Sequence, residues 1–170
     1  VGSEMCIRDS KRVADRFEGK SFERYIHPKA MDDLTSVQNS MFQFMIGNTD
    51  FSVAYQHNGK LLYIDKKIHP LPYDFDLCGL VDASYAIVNN TLGINSVKDR
   101  KYRGFKRDES LLEKVRDQIL SKKNEFFHIV NSQKSKFEIP SEFESTNEFL
   151  TSFYDIIAVS YTHLTLPTTE

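Results

Sequence analysis

The sequence predicts an α+β domain in which helices predominate and a small β-hairpin or sheet lies beside a candidate active site. Apolar residues recur at helical spacing in three segments, and short strand-like segments with turn residues between them lie in the range 51–75. The chain has 170 residues, of which 40% are hydrophobic, so one domain with a hydrophobic core is expected. No apolar run approaches the roughly 20 residues that a membrane-spanning helix needs.

The first predicted helix covers residues 30–46. Its apolar side chains recur every three or four residues, and Gly47 follows as a natural helix end. Two short strands, 51–55 and 61–64, come next. The turn signal Asn58-Gly59 between them predicts a hairpin.

The segment 68–75 is also predicted to be extended. Pro70 and Pro72 cannot donate backbone hydrogen bonds, so the segment is expected at a sheet edge or along a site. Residues 76–107 have no regular pattern, and a connection of this length is typical of functional or flexible segments.

Two further helices are predicted in the last third of the chain. The first covers 109–131, with Ser110 and Glu113 as a capping box at its start. A second capping box, Ser145 with Glu148, predicts the start of the last helix.

The two ends of the chain have an unusual relationship at the level of DNA. Residues 5–9, written as the codons ATG TGT ATA AGA GAC, have a reverse complement that translates as Val-Ser-Tyr-Thr-His, which is the sequence of residues 159–163. This shared DNA resembles the end of a sequencing adaptor. We therefore expect residues 1–10 and 159–170 to be non-native tails. Residues 11–158 are expected to form a single domain that belongs to a longer protein.

Charge and cysteine content exclude some functions without selecting one. The predicted tails hold Arg8, Glu4, Asp9 and Glu170, so the rest of the chain has equal numbers of acidic and basic residues. This balance gives no reason to expect nucleic acid or a membrane surface as a partner. Cys78 is the only cysteine outside the tails, so the domain has no internal disulfide and its compartment cannot be predicted.

Acidic and amide side chains follow the apolar elements in the first half of the chain. Asp50 comes directly after the first helix, Asn58 lies in the predicted hairpin, and Asp74 and Asp76 end the extended segment. If the hairpin returns the chain, these residues lie close together. Carboxylate and amide oxygens are ligands for Mg²⁺ or Mn²⁺, and an Asp, an Asn and a second Asp in this order serve as base and metal ligands in kinases.

The same residues resemble a known family. Asn48-Thr49-Asp50, His57-Asn58 and Tyr73-Asp74-Phe75-Asp76 are similar to the N-x-D, HN and W/Y-D-x-D elements of the CotH-like (spore-coat H) atypical kinases. The likeness is best over residues 30–107. It implies the C-lobe of a protein-kinase-like fold, with ATP as phosphate donor and an acceptor, protein or other, that the sequence does not identify.

The resemblance also implies roles for single residues. Asp50 would be the catalytic acid that orients the acceptor hydroxyl, Asn58 and Asp74 would be metal ligands, and Asp76 would be a further ligand or a support. His57 is expected to be structural, through hydrogen bonds to the backbone near the site.

The sequence departs from the kinase pattern, most of all in two missing segments, and two alternatives stay open. It has neither a G-x-G-x-x-G segment nor a V-A-I-K segment, so it resembles only a C-lobe, which is expected to be inactive by itself. A non-catalytic pseudokinase or binding module is the first alternative. A divalent-metal phosphoester hydrolase that uses the same acids is the second.

Basic and aromatic residues alternate in the segment 97–108. One interpretation is a phosphate-binding segment beside the site, in which Arg100 and Arg103 bind the nucleotide. The other is a solvated surface that leads into the helix at 109.

Overall fold

The computed structural model describes residues 11–159, and the mixed α+β fold class is confirmed. Residues 11–16 are helical, and three single-turn 3₁₀ helices accompany the main elements. Those elements are, in order, β1 (Lys20–Phe22), α1 (Asp33–Ile46), β2 (Gly59–Ile64), β3 (Lys67–Pro72), α2 (Glu109–Ser121), α3 (Lys123–Ser132) and α4 (Pro140–Ala158). Apart from Val159, the predicted tails lie outside the described residues.

The sheet has three antiparallel strands in the order β1-β2-β3. Strands β2 and β3 form a hairpin whose two turn residues, Asp65 and Lys66, have φ values of 49° and 64°. Such a two-residue turn matches the right-handed twist of the strands. The short strand β1 was not predicted, because three residues are too few for a periodic pattern.

The predicted hairpin around Asn58-Gly59 is wrong. Gly59 begins β2 instead of forming a turn, and the predicted strand 51–55 is a compact loop. A single bridge between Ser52 and His57 closes this loop. Asn58 has a positive φ of 48°, as expected of a turn residue, but it directly precedes β2 and does not lie in a hairpin turn.

Strand β3 lies at an edge of the sheet, as its prolines predicted. Pro70 pairs in register with Leu61 and Pro72 with Gly59. Among the described residues, strand β3 pairs with β2 on one side and has no strand on the other. The prolines lack a backbone N–H, and on the unpaired side no neighbouring strand needs one. The segment 73–76 follows β3 directly in the chain.

Helix α1 confirms the first predicted helix, with defined caps at both ends. Its N-cap is Asp32, whose Oδ1 accepts hydrogen bonds from the backbone N of Thr35 at 2.9 Å and from the Thr35 hydroxyl at 3.1 Å. The Lys67 ammonium group on β3 donates to the other carboxylate oxygen at 2.8 Å. Gly47 ends the helix in the left-handed conformation, with φ 65°.

The long helix predicted at 109–131 is two helices, and both predicted capping boxes are wrong. The chain leaves helical geometry at Lys122 (φ −97°, ψ 8°), which separates α2 from α3. Asp108, not Ser110, caps α2, since a carboxylate two residues before Ser110 reaches the Ser110 backbone N. Helix α4 begins at Pro140, because proline is favoured in the first helical turn.

The core lies where α1, α2 and α4 meet. The largest buried side chains there come from α4, and Val37 of α1 and Val115 of α2 pack against them; the α4 residues are Leu150, Phe153, Tyr154 and Ile157. A smaller cluster of Met31, Leu61 and Ile68 lies beneath the sheet. Both clusters reach α1 or the segment just before it, so α1 connects the sheet with the helical layer. None of the helices between residues 11 and 159 is long and apolar enough to cross a membrane.

The cap at Asp32 generates a prediction of pH-dependent stability. Partial burial alone would raise the pKa of Asp32, but hydrogen bonds from Lys67 and Thr35 lower it from 3.8 to about 2. The carboxylate therefore stabilises the fold above pH 3.8, and this contribution is lost as the pH falls toward 2. Asp32→Ala should lower the free energy of unfolding near neutral pH by about 1–2 kcal/mol.

Urea denaturation at a series of pH values measures this effect. The difference between wild type and Asp32→Ala should shrink as the pH approaches 2, where the carboxyl group is increasingly protonated. Asp117→Ala, at an exposed position of α2, is the control and should change stability little. A difference between Asp32→Ala and wild type that is constant with pH would contradict the assignment.

Candidate functional site

The loop that follows α1 places Asp50 at the end of a rigid element. The backbone N of Gly47 donates to Phe44 O at 3.2 Å, and the backbone N of Asn48 donates to Gln43 O at 2.9 Å, so the helix end is closed. The Asn48 side chain is buried, and its Oδ1 accepts a hydrogen bond from the Asp50 backbone N at 2.9 Å. The Asp50 main chain is thereby tied to the helix end.

Close contact between two backbone segments brings the chain that follows Asp76 to the end of α1. The backbone N of Gly79 donates to Gly47 O at 3.2 Å, and that of Leu80 donates to Ile46 O at 2.9 Å. A Cβ atom on Gly47 would lie 2.7 Å from the Phe149 ring, and one on Gly79 would lie 2.6 Å from Val97 O. Only glycine fits at these two positions, and the contact holds the chain after Asp76 against the end of α1.

The Asp50 carboxylate has a side-chain partner on each oxygen. Its Oδ1 lies 3.0 Å from Nε2 of His57. Its Oδ2 accepts from Nδ2 of Asn58 at 2.9 Å, and the same nitrogen donates to the Asp50 main-chain O at 2.7 Å. The Asp50 side chain is 40% exposed. The structure thus brings Asp50 and Asn58 together, with the carboxylate still accessible from solvent.

His57 was expected to bond the backbone near the site, and its contacts include more than that. Its main chain pairs with Ser52, through hydrogen bonds of 3.0 Å in both directions, while its ring contacts the Asp50 carboxylate. His57 is therefore a member of the site by geometry. The signal in the sequence that pointed to His57 was the likeness of His57-Asn58 to the HN element.

Asp74 follows β3, whose end pairs with the main chain of Asn58. The backbone N of Tyr73 donates to Asn58 O at 3.2 Å, which continues the pairing of β3 with β2 up to the site. The pKa of Asp74 is raised by partial desolvation, by its hydrogen bond with Asp76, and by the negative charges of Asp76 and Asp50. The charge of Asp50 makes a smaller contribution, so Asp50 is near enough to add to this repulsion, and Asp50, Asp74 and Asp76 are called the acidic cluster below.

Asp76 connects this cluster to the long irregular segment. Its Oδ2 accepts a hydrogen bond from the Tyr85 hydroxyl at 3.1 Å, and this bond raises the pKa of Tyr85. Both side chains are exposed. The predicted irregularity of residues 76–107 is confirmed, with one 3₁₀ turn at Asn90–Leu92.

The chemistry of the donor set fits a hard divalent cation. Asn58 has its amide nitrogen committed to Asp50, so its Oδ1 is the atom that remains to bind a metal ion, and Asp74 and Asp76 offer carboxylate oxygens. Within residues 11–159, no three His, Cys, Asp or Glu side chains lie close enough together to hold a metal ion by themselves. A Mg²⁺ ion that is shared with nucleotide phosphates requires only one or two protein carboxylates, so the incomplete set is compatible with such an ion.

The two arginines that were predicted to bind nucleotide donate to backbone carbonyls in the structure. Arg100 donates through Nη2 to Met45 O at 3.2 Å and to Phe149 O at 2.5 Å, and its guanidinium carbon lies 3.6 Å from the centre of the Phe149 ring. Arg103 donates through Nη1 to Thr49 O at 2.6 Å and to Phe51 O at 2.7 Å. A nucleotide-binding role for either residue stays a prediction.

Comparison of the chain with protein-family models, with curated proteins and with solved structures gave no match in any of the three. The likeness to the CotH-like kinases therefore rests on the residues themselves and stays a prediction.

The acidic cluster generates a second prediction of pH-dependent stability. Because the pKa of Asp74 is raised above 3.8 in the folded protein, its ionisation destabilises the fold, and stability is lost as the pH rises through the folded pKa. Asp74→Asn should therefore raise the melting temperature near neutral pH, and the gain should disappear below pH 3.8. Thermal unfolding followed by circular dichroism at both pH values measures the difference.

Asp65→Asn is a matched control for this experiment. Asp65 and Asp74 both have positive φ, 49° and 60°, so the conformational preference of asparagine acts at both positions. Asp65 lies in the β2–β3 turn, at the opposite end of the hairpin from Asp74. Equal, pH-independent gains in the two variants would show that charge repulsion at Asp74 is absent.

Proposed function

We propose that the protein carries the catalytic and metal-binding half of a phosphotransferase, which moves a phosphoryl group from ATP to an acceptor hydroxyl with Mg²⁺ or Mn²⁺. The observation that supports this most directly is the double hydrogen bond from the Asn58 amide to Asp50, with Asp74 within reach of the Asp50 charge. A base and its neighbouring metal ligands must lie together for this reaction.

Asp50 is the base in this proposal. One carboxylate oxygen contacts His57 and the other contacts Asn58, so the group is held in one orientation. Each oxygen retains a second acceptor direction, and the side chain is 40% exposed. Asp50 would accept a hydrogen bond from the acceptor hydroxyl. It would then take the proton of that hydroxyl as the acceptor oxygen bonds to the γ-phosphorus of ATP and the bond from this phosphorus to ADP breaks.

Asn58, Asp74 and Asp76 are the residues that would hold the metal ion. The ion would supply positive charge to neutralise the phosphate oxygens. Desolvation is the largest cause of the raised pKa of Asp74, and repulsion from Asp76 and Asp50 adds to it; a bound cation would offset that repulsion. The acidic cluster is thus a destabilised arrangement that a divalent cation would stabilise.

The lack of a glycine-rich phosphate loop in the sequence supports a second candidate, a binding module without turnover. The two proposals predict the same metal ligands and differ in the need for Asp50 as a base. A phosphoester hydrolase would use the same acids with water as the acceptor. Metal binding tests what the candidates share, and nucleotide dependence distinguishes the phosphotransferase from the hydrolase.

The test is Mn²⁺ binding, followed by electron paramagnetic resonance with and without ADP. Asp74→Asn should weaken Mn²⁺ binding by at least the 10–100-fold that loss of a supporting residue costs at metal sites. Asp50→Asn should weaken Mn²⁺ binding clearly less than Asp74→Asn does, since a base that is not a ligand acts on the ion only at a distance and through Asn58, and an asparagine oxygen can still accept the Asn58 hydrogen bond. Asp65→Asn is the control and should bind as the wild type does.

Two results would contradict the proposal. If Mn²⁺ does not bind to the wild type, the metal site is wrong. If Asp50→Asn removes binding as completely as Asp74→Asn does, Asp50 is a ligand and not the base. Tighter Mn²⁺ binding in the presence of ADP supports the phosphotransferase over the hydrolase, because the diphosphate completes the coordination.

A further inference from the structure

Arg103 binds the main chain on both sides of Asp50. The single nitrogen Nη1 donates to the carbonyl of the preceding residue, Thr49, at 2.6 Å and to that of the following residue, Phe51, at 2.7 Å. Hydrogen bonds from a charged donor are about twice as strong as neutral ones. Rotation of the Asp50 backbone would break at least one of them.

The guanidinium group of Arg103 is itself held firmly. Its carbon lies 5.0 Å from the centre of the Phe51 ring, and Phe51 is buried. The residues next to Arg103 in sequence are also packed closely: the buried Tyr102 folds back over Gly104, where a Cβ atom would lie 2.3 Å from the Tyr102 hydroxyl oxygen. This contact leaves room only for glycine at position 104. The backbone on both sides of Arg103 is therefore closely packed.

Arg103 and Asp50 also interact electrostatically. Burial lowers the pKa of Arg103, and the negative charge of Asp50 opposes this shift. The cation is therefore close enough to Asp50 to sense its charge, although the hydrogen bonds go to the main chain. This arrangement leaves the Asp50 carboxylate oxygens to His57 and Asn58.

We propose that Arg103 is a positioning residue for Asp50: its two bonds to the flanking carbonyls hold the carboxylate at His57 and Asn58, where the proposed phosphoryl transfer requires it. This inference rests on the proposed function for its purpose, but not for its measurement. The interaction between Arg103 and Asp50 can be observed without metal or nucleotide.

Arg107 provides a matched control on the same segment. It also donates to two backbone carbonyls, Pro28 O at 2.6 Å and Lys29 O at 3.1 Å, and it contacts Asp33. These contacts lie before and at the start of α1, whereas Asp50 follows its end. Arg107→Gln removes an equivalent set of bonds, so it should lower overall stability without affecting the Asp50 loop in particular.

The experiment is nuclear magnetic resonance of the ¹⁵N-labelled chain at fixed pH, on Arg103→Gln, Arg103→Lys, Arg107→Gln and Asp50→Asn. In Arg103→Gln, the ring nitrogen resonances of His57 should move toward those of Asp50→Asn, because the carboxylate leaves His57. Amide hydrogen exchange at Asp50 and Ser52 should rise about tenfold relative to the core amides, as expected for loss of a hydrogen bond to a charged group. Arg103→Lys should lie between wild type and Arg103→Gln.

The controls decide the outcome. If Arg107→Gln produces the same change at His57 and in the loop, or if Arg103→Gln changes neither, Arg103 has no special relation to Asp50 and the proposal is overturned. If Arg103→Gln does not fold, Arg103→Lys carries the test with the same comparison. Failure of Mn²⁺ binding in the wild type would remove the proposed function and leave this result standing.

Discussion

The close contact between Gly47 and Gly79 is the constraint on which the rest of the site depends. The two backbones meet through a hydrogen bond of 3.2 Å beneath the Phe149 ring, and a Cβ atom at either glycine would lie within 3 Å of neighbouring atoms. This contact joins the end of α1 to the segment after Asp76. Without it, Asp50 and Asp76 would belong to two separate surface loops.

The carbonyl groups at the end of α1 explain why so many residues converge there. The last turn of a helix has carbonyls without intrahelical partners, and buried ones must be paired. Here Leu80 supplies a donor to Ile46 O and Arg100 supplies one to Met45 O. Arg103 likewise donates to Thr49 O and Phe51 O, in the loop that follows α1. The side chains of Arg100 and Arg103 thus satisfy backbone carbonyls at the end of α1 and in the loop that contains Asp50.

Sequence patterns predicted the parts of this molecule that depend on local chemistry. The end of α1 at Gly47, the edge position of the proline-containing strand β3 and the irregular segment 76–107 follow from periodicity and backbone restrictions. The hairpin position was wrong because Asn58 favours positive φ equally in a turn and at a strand entrance. The inward direction of Arg100 and Arg103 depends on carbonyls some 50 residues away in sequence, which no local pattern reports.

The position of the acids relative to α1 strengthens the argument for a cation. The C-terminal end of a helix carries a partial negative charge, and carboxylates are unfavourable there. Asp50 nevertheless lies just past this end, and Asp74 and Asp76 add further negative charge. Besides desolvation, the charges of Asp76 and Asp50 raise the pKa of Asp74. Arg103 donates to main-chain carbonyls, so it compensates this charge only at a distance. A divalent cation bound by Asn58, Asp74 and Asp76 would lie between the carboxylates and offset their repulsion directly. A bound cation would thus explain why acidic residues are placed at this end of α1.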